Sequence, residues 1–214
     1  MARISVLGGT GYAGGHVVAE AARRGHQVTS YSRHAPAAPV DGVTYATLSA
    51  LDPAFVPTAL ADADVVLSSL APRGELEGRV RSVVAALAAA APEAGVRLGV
   101  IGGAGSLQVA PDGPLLVTTP DFPEAFRAEA LEAAGVLEDL RATPAELDWF
   151  YVSPAAGFGS YAPGEATGRY RVGGDVLLVD ADGRSAISGA DLALAIVDEI
   201  ENPAHRRVRF TAAY

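Results

Sequence analysis

The feature that most constrains this chain lies at its N-terminus, where LGGTGYAGG sets Gly8, Gly11 and Gly14 in the spacing G-x-x-G-x-x-G. Aliphatic residues 4–7 precede the run and an Ala- and Val-rich stretch, 14–24, follows it, so the local order is strand, turn, helix. Gly25 stands where a helix C′ residue belongs, and QVTSY at 27–31 resumes strand alternation, closing a βαβ unit. Each glycine has a steric task. Gly8 lets the chain leave the strand sharply, Gly11 lets the backbone approach a pyrophosphate, and Gly14 lets the helix sit close to the sheet. The free N–H groups of the first helical turn, roughly Gly11, Tyr12 and Ala13, then offer an anion site reinforced by the helix dipole, with Thr10 of the same turn also a cofactor-binding candidate. A glycine spacing alone is weak, but in this strand–turn–helix context it reads as a dinucleotide-binding turn; a purely structural turn is the alternative.

The alternation continues along the chain. It predicts a strand at 43–48, a short helix after Asp52-Pro53, a strand at 64–70, a helix over 75–91 ended by Pro92 and Gly95, and a strand at 97–101. A helix at 123–141, a strand at 149–152, a helix at 191–201 N-capped by Ser188 and a strand at 208–211 complete it. Strands alternating with helices imply a mostly parallel sheet covered on both faces, a doubly wound three-layer α/β fold in one domain over residues 1–214. Residues 153–187 depart from the pattern, being rich in Gly, Pro, Tyr and Arg with short strand candidates at 168–172 and 176–179. A connection this long reads as a substrate-side cap. Within it Asp180 and Asp182 read as a turn, and Arg169 and Arg171 share one face of a strand, as an anion clamp or a solvated edge.

Composition removes several chemistries. The chain has no cysteine, and all 16 of its Lys+Arg residues are arginine. Disulfides, thiolate nucleophiles, Cys-based zinc sites, Schiff bases, the lysine of a phosphate-binding loop and any Tyr-Lys pair are therefore excluded. The longest stretches without a charged residue, 4–19 and 149–164, are glycine-broken and 16 residues each, below the about 20 needed to span a bilayer. A net charge of −9 argues against nucleic acid and anionic membranes as partners, leaving a small molecule, with a homodimer allowed for. No export signal is read, which makes the cytoplasm the expected location. No metal site is expected, since the four histidines, His16, His26, His34 and His205, are scattered singly.

The end of the second strand bears on which dinucleotide is bound. An acid there would bond a ribose 2′-hydroxyl, whereas the chain carries Ser32, Arg33 and His34 and no acid before Asp41. A guanidinium suits a 2′-phosphate, so NADPH is favoured over NADH. Ligands in such sheets lie beyond the carboxyl ends of the strands. That expectation puts Ser69, Leu70 and Ala71 on the adenosine side, Gly103 and Ala104 near the nicotinamide ribose, and Pro154 and Ala155 near the nicotinamide ring. Ser106 is the candidate catalytic hydroxyl, with a turn-capping role as the alternative.

The segments GGTGYAGG, Arg33, IGGAGSL, LDWFYVSPAA and PGEATGRYRVGGDVLLVDADGRSAISGADLA together resemble the atypical short-chain dehydrogenase superfamily over nearly the whole chain. The pattern is most similar to its NAD(P)H-binding, NADH-flavin reductase branch, related to NmrA-like sensors and flavin/biliverdin reductase. The resemblance implies a Rossmann domain of strand order 3-2-1-4-5-6-7, NADP as ligand, and reduction of a flavin such as FMN or riboflavin. There are departures: no Tyr-x-x-x-Lys pair, Ala155 and Ala156 where a histidine follows the proline, and Leu48-Ser49 in place of Gly-Asp. Hydride transfer between cofactor rings needs mainly proximity and orientation, so the leading expectation is an NAD(P)H-dependent reductase of a planar acceptor. A non-catalytic NADP redox sensor is the rival, and a sugar-nucleotide epimerase or reductase a third reading.

Overall fold

A computed structural model describes all 214 residues, Met1–Tyr214. Its strands are β1 (Arg3–Leu7), β2 (Gln27–Ser32), β3 (Thr44–Thr47), β4 (Val65–Ser68), β5 (Arg97–Ile101), β6 (Trp149–Pro154), β7 (Arg171–Gly173) and β8 (Val208–Ala213). The helices are α1 (Tyr12–Arg23), α2 (Phe55–Leu60), α3 (Val80–Ala94), α4 (Glu124–Arg141) and α5 (Gly189–Glu201). The strands form one sheet in the order β3-β2-β1-β4-β5-β6-β8-β7, parallel except for β7, which runs antiparallel on β8 at the edge. The expected seven-strand order is thus present, with β8 as its last parallel strand and β7 added by the cap.

Alternation along the strands builds the two cores. Ile4 and Val6 of β1, Val65 and Leu67 of β4, and Phe150 and Val152 of β6 point to a cluster with Val17 and Val18 of α1 and Ile196 and Val197 of α5. Leu7, Val66, Leu98, Trp149 and Tyr151 point oppositely, to a cluster with Phe55 of α2, Val83 and Leu87 of α3, and Leu137 and Leu140 of α4. Such two-sided burial is what right-handed crossovers impose on a parallel sheet. All six residues of β6 are buried, which explains its near-continuous apolar run. No helix is long and apolar enough to cross a membrane.

Three expectations need correction. The helix expected over 75–91 is two elements, a 3-10 turn at Gly74–Leu76 and α3. Gly78, at φ +69°, breaks the helical path between them. Pro92 lies inside the last turn of α3, and termination falls to the left-handed Gly95 alone. The strand expected at 176–179 is reduced to a single bridge between Val176 and Gln108, because the cap there pairs with a loop and not with the sheet.

Candidate functional site

The site grows from the exit of β1. The chain turns through Gly8 at φ +77°, a conformation open to glycine at little cost. A Cβ there would stand 2.8 Å from the Ser69 carbonyl oxygen, so the exit of β4 presses on the same spot. Gly8 N–H donates to the Tyr31 carbonyl at 2.8 Å, and the Gly8 carbonyl accepts from Gly11 N–H at 2.9 Å. Helix α1 starts on Gly11 as N-cap, with no side chain bonded to the cap and no acid in the first turn. Contrary to the expectation of a free Gly11 N–H, that group and the Thr10 N–H are both used within the turn, on the Gly8 carbonyl and Ser32 Oγ, so the donors left without partners at the positive end of the helix dipole are those of Tyr12 and Ala13. Gly14 makes that placement possible, since a Cβ on it would fall inside 3.0 Å of both the Gly8 oxygen and Gly9 Cα. Open donors, no competing acid and a backbone that can be approached closely fit a pyrophosphate.

The other strand exits surround this turn. Ser32 Oγ accepts from Thr10 N–H at 3.1 Å and donates to the Tyr31 carbonyl, tying the glycine turn to the end of β2. Arg33 and His34 are exposed beyond it. Arg33 Nη1 lies 3.3 Å from Glu75 Oε1. A recess of about 370 Å³ opens between α1 and the loop after β2, lined by Gly9, Thr10, Gly15, Ala35, Ala38 and Tyr45 among others. Ser69 N–H donates to the Leu7 carbonyl at 2.8 Å, which fixes Ser69, Leu70 and Ala71 beside the turn. Gly103 and Ala104 follow β5, and Pro154 and Ala155 close β6, so parallel topology brings all these positions to one edge of the sheet.

Ser106 lies lower. It is 7% exposed, and its Oγ and carbonyl both accept from Arg209 Nη1, at 2.9 and 3.1 Å. Arg209 is buried on β8 beside Tyr151 in the register and also bonds Asp175 of the cap through Nε at 2.8 Å. Tyr151 donates to the Ala133 carbonyl at 2.9 Å, and burial pushes its pKa up to about 12. These groups form a satisfied buried network under the 104–106 turn.

The cap is docked by hydrogen bonds that converge on Asp191. Its carboxylate accepts from Thr167 N–H at 2.7 Å, Gly168 N–H at 2.9 Å and the Tyr214 hydroxyl at 2.5 Å. Burial pushes the Asp191 carboxyl up, yet the bonds from Thr167, Tyr214 and Gly168 outweigh it and leave its pKa below the ordinary carboxylate value. Tyr12 links the cap to the glycine turn. Its hydroxyl donates to the Pro163 carbonyl and accepts from Gly189 N–H, both at 3.2 Å. Tyr161 of the cap stacks on Phe126 of α4 with ring centroids 5.9 Å apart, both rings exposed. Arg171 is used within the fold, donating to the Val179 and Tyr214 carbonyls, whereas Arg169 is exposed.

Four residues escaped the sequence reading. Gly9 is required because a Cβ would meet the Ser30 side chain. Glu75 and Arg209 had no sequence signal, since each depends on a partner far away in the chain. Asp191 had one: Ser188 three residues earlier makes a capping pattern, and Ser188 Oγ does accept from Asp191 N–H at 3.0 Å.

A family model described as NAD(P)H-binding matches residues 8–203. The uncharacterised protein YwnB of Bacillus subtilis is 35% identical over 210 residues, covering 98% of this chain and 97% of that one. A solved structure from Burkholderia pseudomallei, provisionally named an exported protein, is 45% identical with TM-score 0.87 and full coverage of both chains. A third, SP1627 of Streptococcus pneumoniae, provisionally named an NADH-flavin reductase, is 30% identical with TM-score 0.83, covering 100% of this chain and 99% of its own.

Proposed function

Because the chain belongs to the NAD(P)H-binding branch of the atypical short-chain dehydrogenases, we propose that it is an NADPH-dependent reductase of a planar aromatic acceptor, first among them free FMN or riboflavin. The observation that carries this reading is the uncapped, acid-free N-terminus of α1 held against the sheet by Gly14, which suits a dinucleotide pyrophosphate. The bound nicotinamide supplies a hydride, two electrons, to the acceptor, and a solvent proton completes the reduction. The Tyr12 and Ala13 N–H groups hold the pyrophosphate, which the bare Cα of Gly11 lets come close, Arg33 takes the 2′-phosphate with Thr10, Ser32 and His34 beside it, and Ser69, Leu70 and Ala71 line the adenosine side. Gly103, Ala104, Pro154 and Ala155 leave room for the nicotinamide. Ser106 serves the reaction through the turn that it and Arg209 hold in place. The reading places the protein in the cytoplasm, where NADPH is regenerated, and fractionation checks it.

The test is turnover. Purified protein with NADPH and FMN or riboflavin should deplete the reduced-nicotinamide absorbance well above the protein-free rate. One observation favours the second reading, an NADP-binding redox sensor: the hydroxyls nearest the nicotinamide side, Ser106 and Tyr151, are both buried and engaged. Tight NADPH binding with no reduction of any flavin would decide for the sensor.

A further inference from the structure

Arg33 stands at the exit of β2, and Glu75 lies in the short turn after β4. These two strands flank β1 on opposite sides in the sheet. Neighbouring strands are about 4.8 Å apart, so a contact between the exits of β2 and β4 spans the mouth above β1, whose exit carries the glycine turn. The Arg33–Glu75 pair makes that contact at 3.3 Å. Ser49 Oγ, from the exit of β3, lies 3.5 Å from the same carboxylate oxygen. Residues from two strand exits thus converge on one carboxylate carried by a third, at the guanidinium assigned above to the 2′-phosphate. Both side chains are about half exposed, and Glu75 is bracketed by the left-handed glycines Gly74 and Gly78. The carboxylate is free to leave when a better anion arrives.

We propose that Glu75 is a specificity-determining residue of the cofactor site, one that competes with the 2′-phosphate of NADPH for Arg33 and so narrows the preference for NADPH over NADH. The inference rests on the reading that Arg33 binds the 2′-phosphate. A phosphate takes a guanidinium in a two-point, charge-assisted pair that is stronger than a single carboxylate contact, so NADPH still binds. Binding must nevertheless break the Arg33–Glu75 pair and bring a dianion beside a displaced carboxylate. An exposed pair contributes up to about 1 kcal/mol, which at 1.4 kcal/mol per tenfold is about fivefold in affinity. A cofactor without the phosphate leaves the pair intact.

The test uses two probes that differ only at the 2′ position, 2′,5′-ADP and 5′-AMP, in calorimetric titrations of wild type, Glu75→Gln, Arg33→Gln and the double variant that carries both. The Glu75→Gln variant is expected to tighten 2′,5′-ADP about three- to fivefold while 5′-AMP moves less than about twofold. In the double variant the Glu75 effect should disappear. Equal tightening of both probes would mean only a general loss of negative charge and would overturn the proposal, as would no change in either. If Arg33→Gln collapses the gap between the probes and Glu75→Gln leaves it untouched, the role of Glu75 is wrong while that of Arg33 stands. If Arg33→Gln leaves the gap unchanged, the assignment of Arg33 fails and takes the proposal with it.

Discussion

Gly14 and Gly15 are adjacent residues of α1 for which the structure expects opposite outcomes on substitution by alanine. At Gly14 the new Cβ would enter within 3.0 Å of the Gly8 oxygen and of Gly9 Cα, both backbone atoms that cannot swing aside. Restoring 3.4 Å of ordinary contact requires the start of α1 to retreat on the order of 1 Å. Overpacking of this kind costs about 1–3 kcal/mol, offset by about 1 kcal/mol from the better helix propensity of alanine. At about 2–4 °C per kcal/mol for a chain of this size, Gly14→Ala should lower Tm by up to about 8 °C. Nucleotide binding should suffer more, because N–H donors displaced by that amount no longer reach hydrogen-bonding distance from a pyrophosphate oxygen. Losing two charge-assisted bonds of about 1.5–3 kcal/mol each weakens NADPH binding by at least about a hundredfold. At Gly15 the Cβ meets only the Gly9 oxygen at 3.7 Å, an ordinary contact. Gly15→Ala should therefore leave the start of α1 in place, raise Tm slightly, and weaken NADPH binding at least about tenfold less than Gly14→Ala, its methyl projecting only at the recess that Gly15 lines. Calorimetric titration with NADPH and thermal unfolding of the two variants decide the matter. A Gly14→Ala protein that binds NADPH like wild type, or two variants that behave alike, would refute the close-approach argument.

Two further outcomes follow from the cap. Asp191→Asn should cost about 2 kcal/mol at neutral pH, since the carboxylate's bonds to Thr167, Gly168 and Tyr214 are charge-assisted. Because its folded pKa is depressed, that contribution is present above the unfolded value near 3.9 and lost as pH falls through the lower native value. Urea midpoints of wild type and variant should converge in acid, and a gap independent of pH would count against the assignment. Tyr161→Ala removes the aromatic partner of Phe126 that ties the cap to α4, and about 1 kcal/mol of lost stacking should lower Tm by about 2–4 °C. Its NADPH affinity should stay within about twofold, and an unchanged Tm would show that the stacked pair does not hold the cap.

Local rules made much of the fold readable in advance. Strand–turn–helix order, the glycine spacing and the Ser188 cap depend on residues near each other in the chain, and each holds in the structure at or near the expected position. The errors arose where local signals compete. Pro92 looked like a stop, yet near the end of α3 few later residues depend on the bond it removes, and the left-handed Gly95 is what ends the helix. Val176 to Val179 alternates like a strand, but its backbone is bonded to the loop at Gln108, Leu177 N–H donating to the Gln108 carbonyl at 2.8 Å, and not to a neighbouring strand.

What the chain determines by itself is the class of site: a βαβ unit whose glycines open a helix N-terminus, in a protein without lysine or cysteine. Spacing along 20 or so residues is enough, since the left-handed φ of +77° at Gly8 and the close approach of Gly14 to Gly8 and Gly9 are both set within the turn itself. Tertiary structure alone decided which side chains finish it. Ser106 reads as a free hydroxyl until Arg209, 103 residues later, is laid across it; Arg33 reads as a free guanidinium until Glu75 meets it from the far side of β1. The physical reason is the same in both cases. A parallel sheet joins its strands through long crossovers, so the groups that become neighbours at one edge are distant in the chain, and nothing local records their encounter.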